Sequence, residues 1–299
     1  MKRNLLKSII ILFTLTFVTL QSCKKKELTS LTPVSIDLNG INIKAKYAQD
    51  KNNINTLVFS SVDDYENAIT FLAQKDKNFI NSWNEKTGFN SMKKAFSDNP
   101  ESIPVKDDDV ITSLLNKKGE IQIEDKLLRL NFETNRVEEI VYTANNKLEV
   151  IDSYSFDDDV LSVLFKNKEP ESDKSKYCSG NTKTTYMNTI CGRVDCKVKY
   201  LRLGIYYTLY AKISKQNSSA VKIGLTTIYY NQTKYQNKSG CWSFSSSKSG
   251  YGNSYKITAY SGVKRLKAYI IPINFWYDYI NGNSYGNVGL NMSCGTPDC

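Results

Sequence analysis

The chain of 299 residues contains no histidine. Histidine is the commonest general base in enzymes and a frequent metal ligand, so its absence excludes Ser-His and Cys-His nucleophile pairs and every His-ligated zinc or haem site. Proline is also sparse, with six residues, and 40% of the chain is hydrophobic. This composition excludes a fibrous or disordered chain and indicates a globular protein, and the length predicts two domains.

Long apolar runs are absent as well. Residues 8–20 form an apolar run of thirteen residues, shorter than the roughly 18–20 that a membrane-spanning helix needs, and no later segment reaches that length. Lys2, Arg3 and Lys7 precede the run. A positive start followed by a short apolar run is typical of a secretory signal peptide.

The end of the apolar run, Leu20-Gln21-Ser22-Cys23, resembles the lipobox of bacterial lipoproteins. The resemblance implies that Cys23 is acylated and becomes the first residue of the mature chain; the alternative is a plain signal peptide that includes Cys23. Each buried acyl methylene contributes about 0.8 kcal/mol, so the membrane is the expected partner. Because Lys24 is not acidic, the resemblance implies the outer membrane, with the periplasmic or surface face left open.

Charge and cysteine change at the same place in the chain. The net charge is −7 over residues 101–177 and +12 over residues 178–299. Apart from Cys23, every cysteine lies in residues 178–299, together with 15 of the 20 tyrosines. We therefore predict a domain boundary there, bridged by a polar linker. The predicted organisation is a signal peptide at 1–22, a tether and entry strand at 23–54, an α+β domain at 55–165, a linker at 166–177 and a basic, tyrosine-rich all-β domain at 178–299.

Residues 57–96 carry a helical pattern. Ser61 precedes two aspartates in a capping-box arrangement, and apolar residues from Val62 to Phe96 recur every three or four positions. Helices combined with strands predict an α+β domain. The other predicted elements are a short helix at 110–115 and a hairpin of residues 119–123 and 127–130.

Five short segments between residues 55 and 130 form a set. They are Phe59-Ser60-Ser61-Val62-Asp63-Asp64-Tyr65-Glu66, the pair Phe79 and Trp83, Gly88-Phe89-Asn90-Ser91-Met92, Leu114-Leu115-Asn116 and Gly119-Glu120-Ile121-Gln122-Ile123. Together they resemble a family of uncharacterised Bacteroidota lipoproteins. The resemblance implies location and phylum only, because that family brings no established activity and no catalytic residues.

Residues 178–299 have the composition of β-structure. Segments rich in Val, Leu, Ile and Tyr alternate with Gly, Ser and Asn clusters that favour turns. Strands at this spacing predict a sandwich or small barrel. The predicted strand segments are 197–214, 220–230, 254–260, 265–271 and 287–293.

The cysteines of this domain form an even set, which is typical of exported, disulfide-bonded proteins. Residues 188–196 and 291–299 share Asn, Cys, Gly, Asp and Cys at equal offsets. This echo suggests two local loops or a clasp between the ends of the domain, with Cys178 and Cys241 as the third pair. A four-cysteine zinc or iron–sulfur site is the alternative, and export argues against it. We predict three disulfides, no metal and no cofactor, from Cys178, Cys191, Cys196, Cys241, Cys294 and Cys299.

Aromatic side chains interleaved with basic and amide groups can stack on sugar rings and pair with anionic groups. Residues 275–279 and the polar residues 281–286 after them are the segment expected to form an exposed patch. The alternative for any one tyrosine is packing over the sandwich, because Tyr is a strong strand former. The predicted ligand residues are Trp276, Tyr277, Tyr279, Tyr285, Lys264 and Arg265.

Acidic triplets at 107–109 and 157–159 lack the ligand spacing and glycine of an EF-hand loop, so we expect helix caps or solvated residues.

The sequence therefore predicts a lipid-anchored envelope protein that acts as a binding or interaction module. An anionic polysaccharide is the candidate ligand, and no nucleic-acid partner is expected. The alternative is a polysaccharide hydrolase with carboxylates in the acidic middle region, which a cleft with two carboxyls roughly 5–10 Å apart would favour. The oligomeric state is open.

Overall fold

The computed structural model describes twelve stretches of the chain. They are residues 37–38, 41–42, 45–49, 55–87, 89–143, 145, 147–166, 177–190, 192–216, 221–227, 233–279 and 285–298. The predicted signal peptide, Cys23, Cys191, Cys299 and most of the predicted linker lie outside them. Within these stretches, no helix has the length and apolar character needed to cross a membrane.

The N-terminal part is built on a six-stranded sheet. All neighbouring strands pair antiparallel except β4 (Asn55–Phe59) and β5 (Glu120–Ile123), which pair in parallel through Val58 with Gln122 and Phe59 with Ile123. A parallel pair requires a long crossover, and four helices of this part lie between these two strands. After the hairpin β1 (Asp37–Leu38) and β2 (Ile41–Asn42), the sheet order is β3 (Ala45–Gln49), β4 (Asn55–Phe59), β5 (Glu120–Ile123), β6 (Lys126–Asn131), β7 (Arg136–Tyr142) and β8 (Leu148–Ser155).

The predicted helical stretch is three helices, and its first residue, Leu57, belongs to β4 instead. The predicted cap is confirmed, because Ser61 Oγ accepts a hydrogen bond of 3.0 Å from Asp64 N. The crossover contains α1 (Val62–Ala73), α2 (Lys77–Thr87), α3 (Met92–Ala95), a 3₁₀ turn (Pro100–Ser102) and α4 (Asp109–Leu114); α5 (Val160–Lys166) follows the sheet.

The C-terminal part is all β, which confirms the predicted fold class. Four strands form one sheet and six form another, and the two sheets enclose a common core. The predicted strand at 197–214 is a hairpin of two strands. In sheet order, the first sheet is β16 (Ser254–Gly262), β11 (Tyr207–Lys215), β10 (Gly192–Arg202) and β9 (Asn181–Thr189). The second is β14 (Gly240–Phe244), β13 (Thr233–Asn237), β17 (Leu266–Tyr279), β12 (Val221–Thr227) and β15 (Ser247–Gly250). The strands β13 and β12 pair with successive parts of one edge of β17, and β18 (Tyr285–Cys294) pairs with the opposite edge.

Strict alternation along the strands builds this core. In β10, Val194, Cys196, Val198 and Tyr200 point inward and are buried, while the lysines between them are partly exposed. In β17 the buried inward residues are every second residue from Tyr269 onward. Because successive side chains of a strand point to opposite faces, each sheet has one apolar inner face and one outer face.

The disulfide arrangement differs from the prediction. Cys178 is bonded to Cys294, with Cα atoms 5.8 Å apart, so the entry to the β part is joined to the end of its last strand. Cys241 is also disulfide-bonded, and its partner is not Cys178. Cys196 is a free, buried thiol. The prediction that all six cysteines form disulfides is therefore wrong, because Cys196 is an inward core residue of β10, with Thr185 and Ile213 as cross-strand neighbours.

The two parts of the chain share an interface. The hydrophobic core of the N-terminal part, called the first core below, also contains residues of the β part. They are Leu203, Ile205 and Tyr206 from the β10–β11 turn and Val263 from the β16–β17 connection. Val160 N of α5 also donates a hydrogen bond of 3.3 Å to Gly204 O in that turn. The β10–β11 turn is thus a segment of the β part whose side chains pack in the core of the N-terminal part.

Candidate functional site

Strand alternation separates the four predicted aromatic ligand residues. Trp276 and Tyr285 lie on the outer face of the six-stranded sheet. Trp276 is partly exposed, and Tyr285 is 61% exposed. Tyr277 and Tyr279 point the other way, and their hydroxyls bond the end of β9: Tyr277 Oη donates to Asn188 O at 3.4 Å, and Tyr279 Oη accepts from Ile190 N at 2.7 Å. The structure thus brings together two of the four.

Lys264 and Arg265 lie between β16 and β17, at the junction with the N-terminal part. Lys264 Nζ is 3.2 Å from Glu66 Oε1 of α1. Arg265 is 3% exposed, and its guanidinium lies 4.3 Å from the centre of the Tyr177 ring. Neither residue belongs to the outer face that carries Trp276.

The outer face around Trp276 is polar. Cross-strand pairing places Gly224 of β12 and Asn287 of β18 on either side of Trp276. The next row pairs Lys222 and Tyr285 with Asp278. We call this surface the Trp276 face; its residues are Lys222, Gly224, Thr226, Ser247, Ser249, Asn274, Trp276, Asp278, Tyr285, Asn287 and Gly289.

Trp276 packs directly over Gly224. A Cβ atom on Gly224 would lie 2.4 Å from Cζ2 of the indole and 2.8 Å from Cβ of Ser249, so a larger residue cannot occupy this position without displacing the ring. Lys222 Nζ lies 5.8 Å from the centre of the indole. The glycine therefore lets the indole lie close against β12, at the centre of a surface of amides and hydroxyls.

Much of the positive charge of the β part lies elsewhere, on the outer face of the four-stranded sheet. Lys197, Lys212 and Lys256 are cross-strand neighbours there. Adjacent like charges repel, and Asp107 lies over them: its carboxylate is 2.8 Å from Lys197 Nζ and 2.5 Å from Lys212 Nζ, and its carbonyl accepts from Lys256 at 2.7 Å. Burial alone would raise the pKa of Asp107, but the two lysines outweigh it and hold the pKa well below its usual range.

Asp108, the next residue, is 1% exposed and caps α4. Its Oδ1 accepts from Val110 N at 3.1 Å, and the Tyr206 hydroxyl lies 3.0 Å from both carboxylate oxygens. Ser261 Oγ is 2.7 Å from the same hydroxyl. The triplet 107–109 thus supplies a helix cap, as predicted, and also binds the β part.

The triplet 157–159 also accepts hydrogen bonds within its own segment and contacts the β part. Asp158 Oδ2 accepts from Ser155 N at 2.9 Å, and Asp159 accepts from the Ser162 hydroxyl at 2.9 Å. Asp157 is paired with Arg202 of β10, and Asp159 Oδ2 is 3.6 Å from Lys238 Nζ. Both acidic triplets therefore contact basic residues of the β part.

A groove of about 860 Å³ lies between the segment before α4 and the strands β9, β10 and β11. Each of the three carboxylates that line the groove contacts a cation. Glu101 is paired with Lys106, Asp107 with Lys197 and Lys212, and Asp195 with Arg193 at 2.5 Å. Among the described residues, no group of three or more acidic or cysteine side chains is arranged to hold a metal ion. Burial also raises the pKa of the Cys196 thiol to about 12, so it is a poor nucleophile.

Sequence reasoning missed most of the Trp276 face. The alternation Asn274, Trp276, Asp278 within β17 was available from the sequence as a shared face. Lys222, Gly224 and Asn287 carry no such signal, because only the register with β12 and β18 places them beside Trp276.

No protein-family model matches the chain, and no curated protein matches it. Among solved structures, it is similar to a DUF4848 family protein from Bacteroides thetaiotaomicron, at 10% identity, a TM-score of 0.21, and coverage of 82% of this chain and 100% of that chain. A similarity at this TM-score says nothing about what the Trp276 face binds.

Proposed function

We propose that this chain is a lipid-anchored binding protein of the outer membrane whose Trp276 face binds a polysaccharide. The observation that carries the proposal is Trp276, packed over Gly224 at the centre of an outer sheet face lined by amides and hydroxyls. The anchor rests on the N-terminal 23 residues, which resemble a lipoprotein signal.

Sugar rings suit such a surface for two reasons. An indole offers a large apolar area for the C–H face of a sugar ring, and its quadrupole favours partly positive hydrogens. Asn274 and Asn287 supply both donors and acceptors, so each can pair with a hydroxyl group of either orientation. Tyr285, whose hydroxyl accepts from Asn287 Nδ2 at 3.3 Å, adds a second aromatic ring on the same face.

The charge of the face favours a ligand of low charge. Lys222 and Asp278 are its two charged residues and oppose each other across β12 and β17. The sequence-based expectation of an anionic ligand rested on the net charge of the β part, and several of those cations contact acidic groups of the N-terminal part instead. We therefore expect binding that changes little with salt.

A glycan array probed with the purified chain, followed by titration calorimetry, tests the proposal. Trp276→Ala should weaken binding by about 1–3 kcal/mol, as the loss of one stacked ring does in nucleic-acid complexes. Trp242→Ala is the matched control, because Trp242 is 39% exposed but stacks on Tyr235, away from this face. Full binding by a folded Trp276→Ala variant, or no bound glycan for the unaltered chain, would contradict the proposal.

The anchor has its own test. Cys23→Ala should abolish incorporation of labelled palmitate and release the protein from the membrane fraction. Cys196→Ala is the control, because this cysteine is buried in the sandwich. Unchanged fractionation of Cys23→Ala would contradict the lipid anchor but would not bear on polysaccharide binding by the Trp276 face.

The hydrolase alternative gains no support from the groove. A general acid needs a carboxyl with a raised pKa, and Asp107 has a lowered one. Its neighbours Glu101 and Asp195 are each paired with a cation.

A further inference from the structure

Within the part of the chain that the structure describes, Arg265 is a buried cation without a partner anion. It is 3% exposed, its Nε is buried without a hydrogen-bond partner, and no carboxylate among the described residues forms an ion pair with it. Its described contact is the stack on Tyr177 at 4.3 Å. An arginine cannot escape this cost by losing its proton, and a buried unpaired charge is expensive.

A second arginine lies at the same place. The side chain of Arg202 is 8% exposed, and its Nε is also buried without a partner. Its Nη1 donates to Cys178 O at 3.0 Å, while Arg265 stacks on the preceding residue, Tyr177. Burial raises the pKa of Tyr200, and both guanidinium charges act against that rise, which is consistent with their sharing one region.

The charges around Tyr177 do not balance. Lys238 Nζ lies 5.5 Å from the same ring, giving three cations with Arg202 and Arg265. The acids in contact with this group are Asp157, paired with Arg202, and Asp159, 3.6 Å from Lys238. Among the described residues, the charge on Arg265 is therefore left without an acid in contact.

We propose that Arg265, supported by Arg202, forms a binding site for a phosphate group. A guanidinium presents N–H donors in a planar fork that matches the oxygens of a phosphate, and the Tyr177 ring, 4.3 Å from the guanidinium carbon, lies against it. The site lies at the junction of the two parts, apart from the Trp276 face, so it does not rest on polysaccharide binding there.

Thermal unfolding in phosphate and in chloride, at equal pH and ionic strength, tests the site. A ligand that binds the folded state raises Tm as its concentration exceeds Kd, so Tm should rise with phosphate and stay constant with chloride. Arg265→Met should remove that rise. In chloride its Tm should equal or exceed that of the unaltered chain, because an apolar side chain replaces an unpaired charge. Lys267→Met, which removes an exposed cation two residues away, should retain the phosphate response.

Two further arms identify the ligand and protect the test. Glucose 1-phosphate compared with glucose and inorganic phosphate distinguishes a phosphorylated sugar from free phosphate as the source. If Arg265→Met does not fold, Arg265→Lys keeps the charge but loses the fork, and should bind phosphate at least tenfold more weakly. The site is overturned if phosphate and chloride give the same Tm for the unaltered chain, or if both Arg265 variants respond to phosphate as it does.

Discussion

The two outer faces of the β sandwich differ in what surrounds them. On the four-stranded sheet, neighbouring lysines meet Asp107 and Asp108, and the groups are partly or fully buried. On the six-stranded sheet, Trp276 lies among small and polar residues, and Asn287 and Tyr285 are exposed. The N-terminal part covers the first face, whereas several residues of the Trp276 face are exposed.

This difference changes the meaning of the net charge. A basic domain read alone suggests an anionic ligand. Here the acidic region just before it in the chain supplies the anions, through the triplets 107–109 and 157–159. Ion pairs therefore join the two parts of this protein, and the Trp276 face carries little net charge.

The largest effect on the covered face is expected for Asp108→Ala. The change removes the cap of α4 and an acceptor of the buried Tyr206 hydroxyl, so we expect a loss of about 2–4 kcal/mol in the free energy of unfolding. Urea denaturation measures it. Asp98→Ala, at an exposed carboxylate, is the control and should stay within about 0.5 kcal/mol. Equal losses for both variants would mean that Asp108 does not link the two parts.

A smaller effect that depends on pH is expected for Asp107→Asn. The pKa of Asp107 is lowered in the folded state, so its stabilisation is complete above its unfolded pKa of about 3.9 and is lost as the pH falls below that value. We expect a loss of about 1–2 kcal/mol at pH 7, after allowance for screening, and a difference that becomes smaller as the pH falls below about 3.9 towards the folded pKa. Denaturation curves from pH 3 to 8 measure this. A difference that does not change with pH would show that the ion pairs with Lys197 and Lys212 do not contribute.

Local features were predictable from the sequence because they depend on near neighbours. Ser61 starts α1 as its spacing to Asp64 predicts, and residues 120–131 form the expected hairpin. The alternation in β10 likewise follows from adjacent residues. The fold class, α+β followed by a disulfide-bonded β sandwich, follows from the sum of such features.

Long-range pairing was not predictable. The echo between residues 188–196 and 291–299 favoured disulfides for all of its cysteines, but Cys196 is an inward core residue with a free thiol, whereas Cys294 ends an edge strand and is bonded to Cys178. Arg265 directly precedes β17, and Trp276 lies within it. In the fold, Arg265 lies at the junction of the two parts, whereas Trp276 lies on the outer face of the six-stranded sheet. A one-residue change along a strand reverses the face, so composition cannot decide such assignments.

The smallest expected effect on stability belongs to the open face. Trp276→Ala should cost about 1 kcal/mol, because the indole is partly exposed and packs on one side only, over Gly224. Trp83→Ala is the matched comparison: this indole is 6% exposed in the first core, and its loss should cost about 3–5 kcal/mol. Guanidinium denaturation of both variants measures the difference. If Trp276→Ala proves as destabilising as Trp83→Ala, the indole is structural, and the face then lacks the feature that makes it suited to a sugar ring.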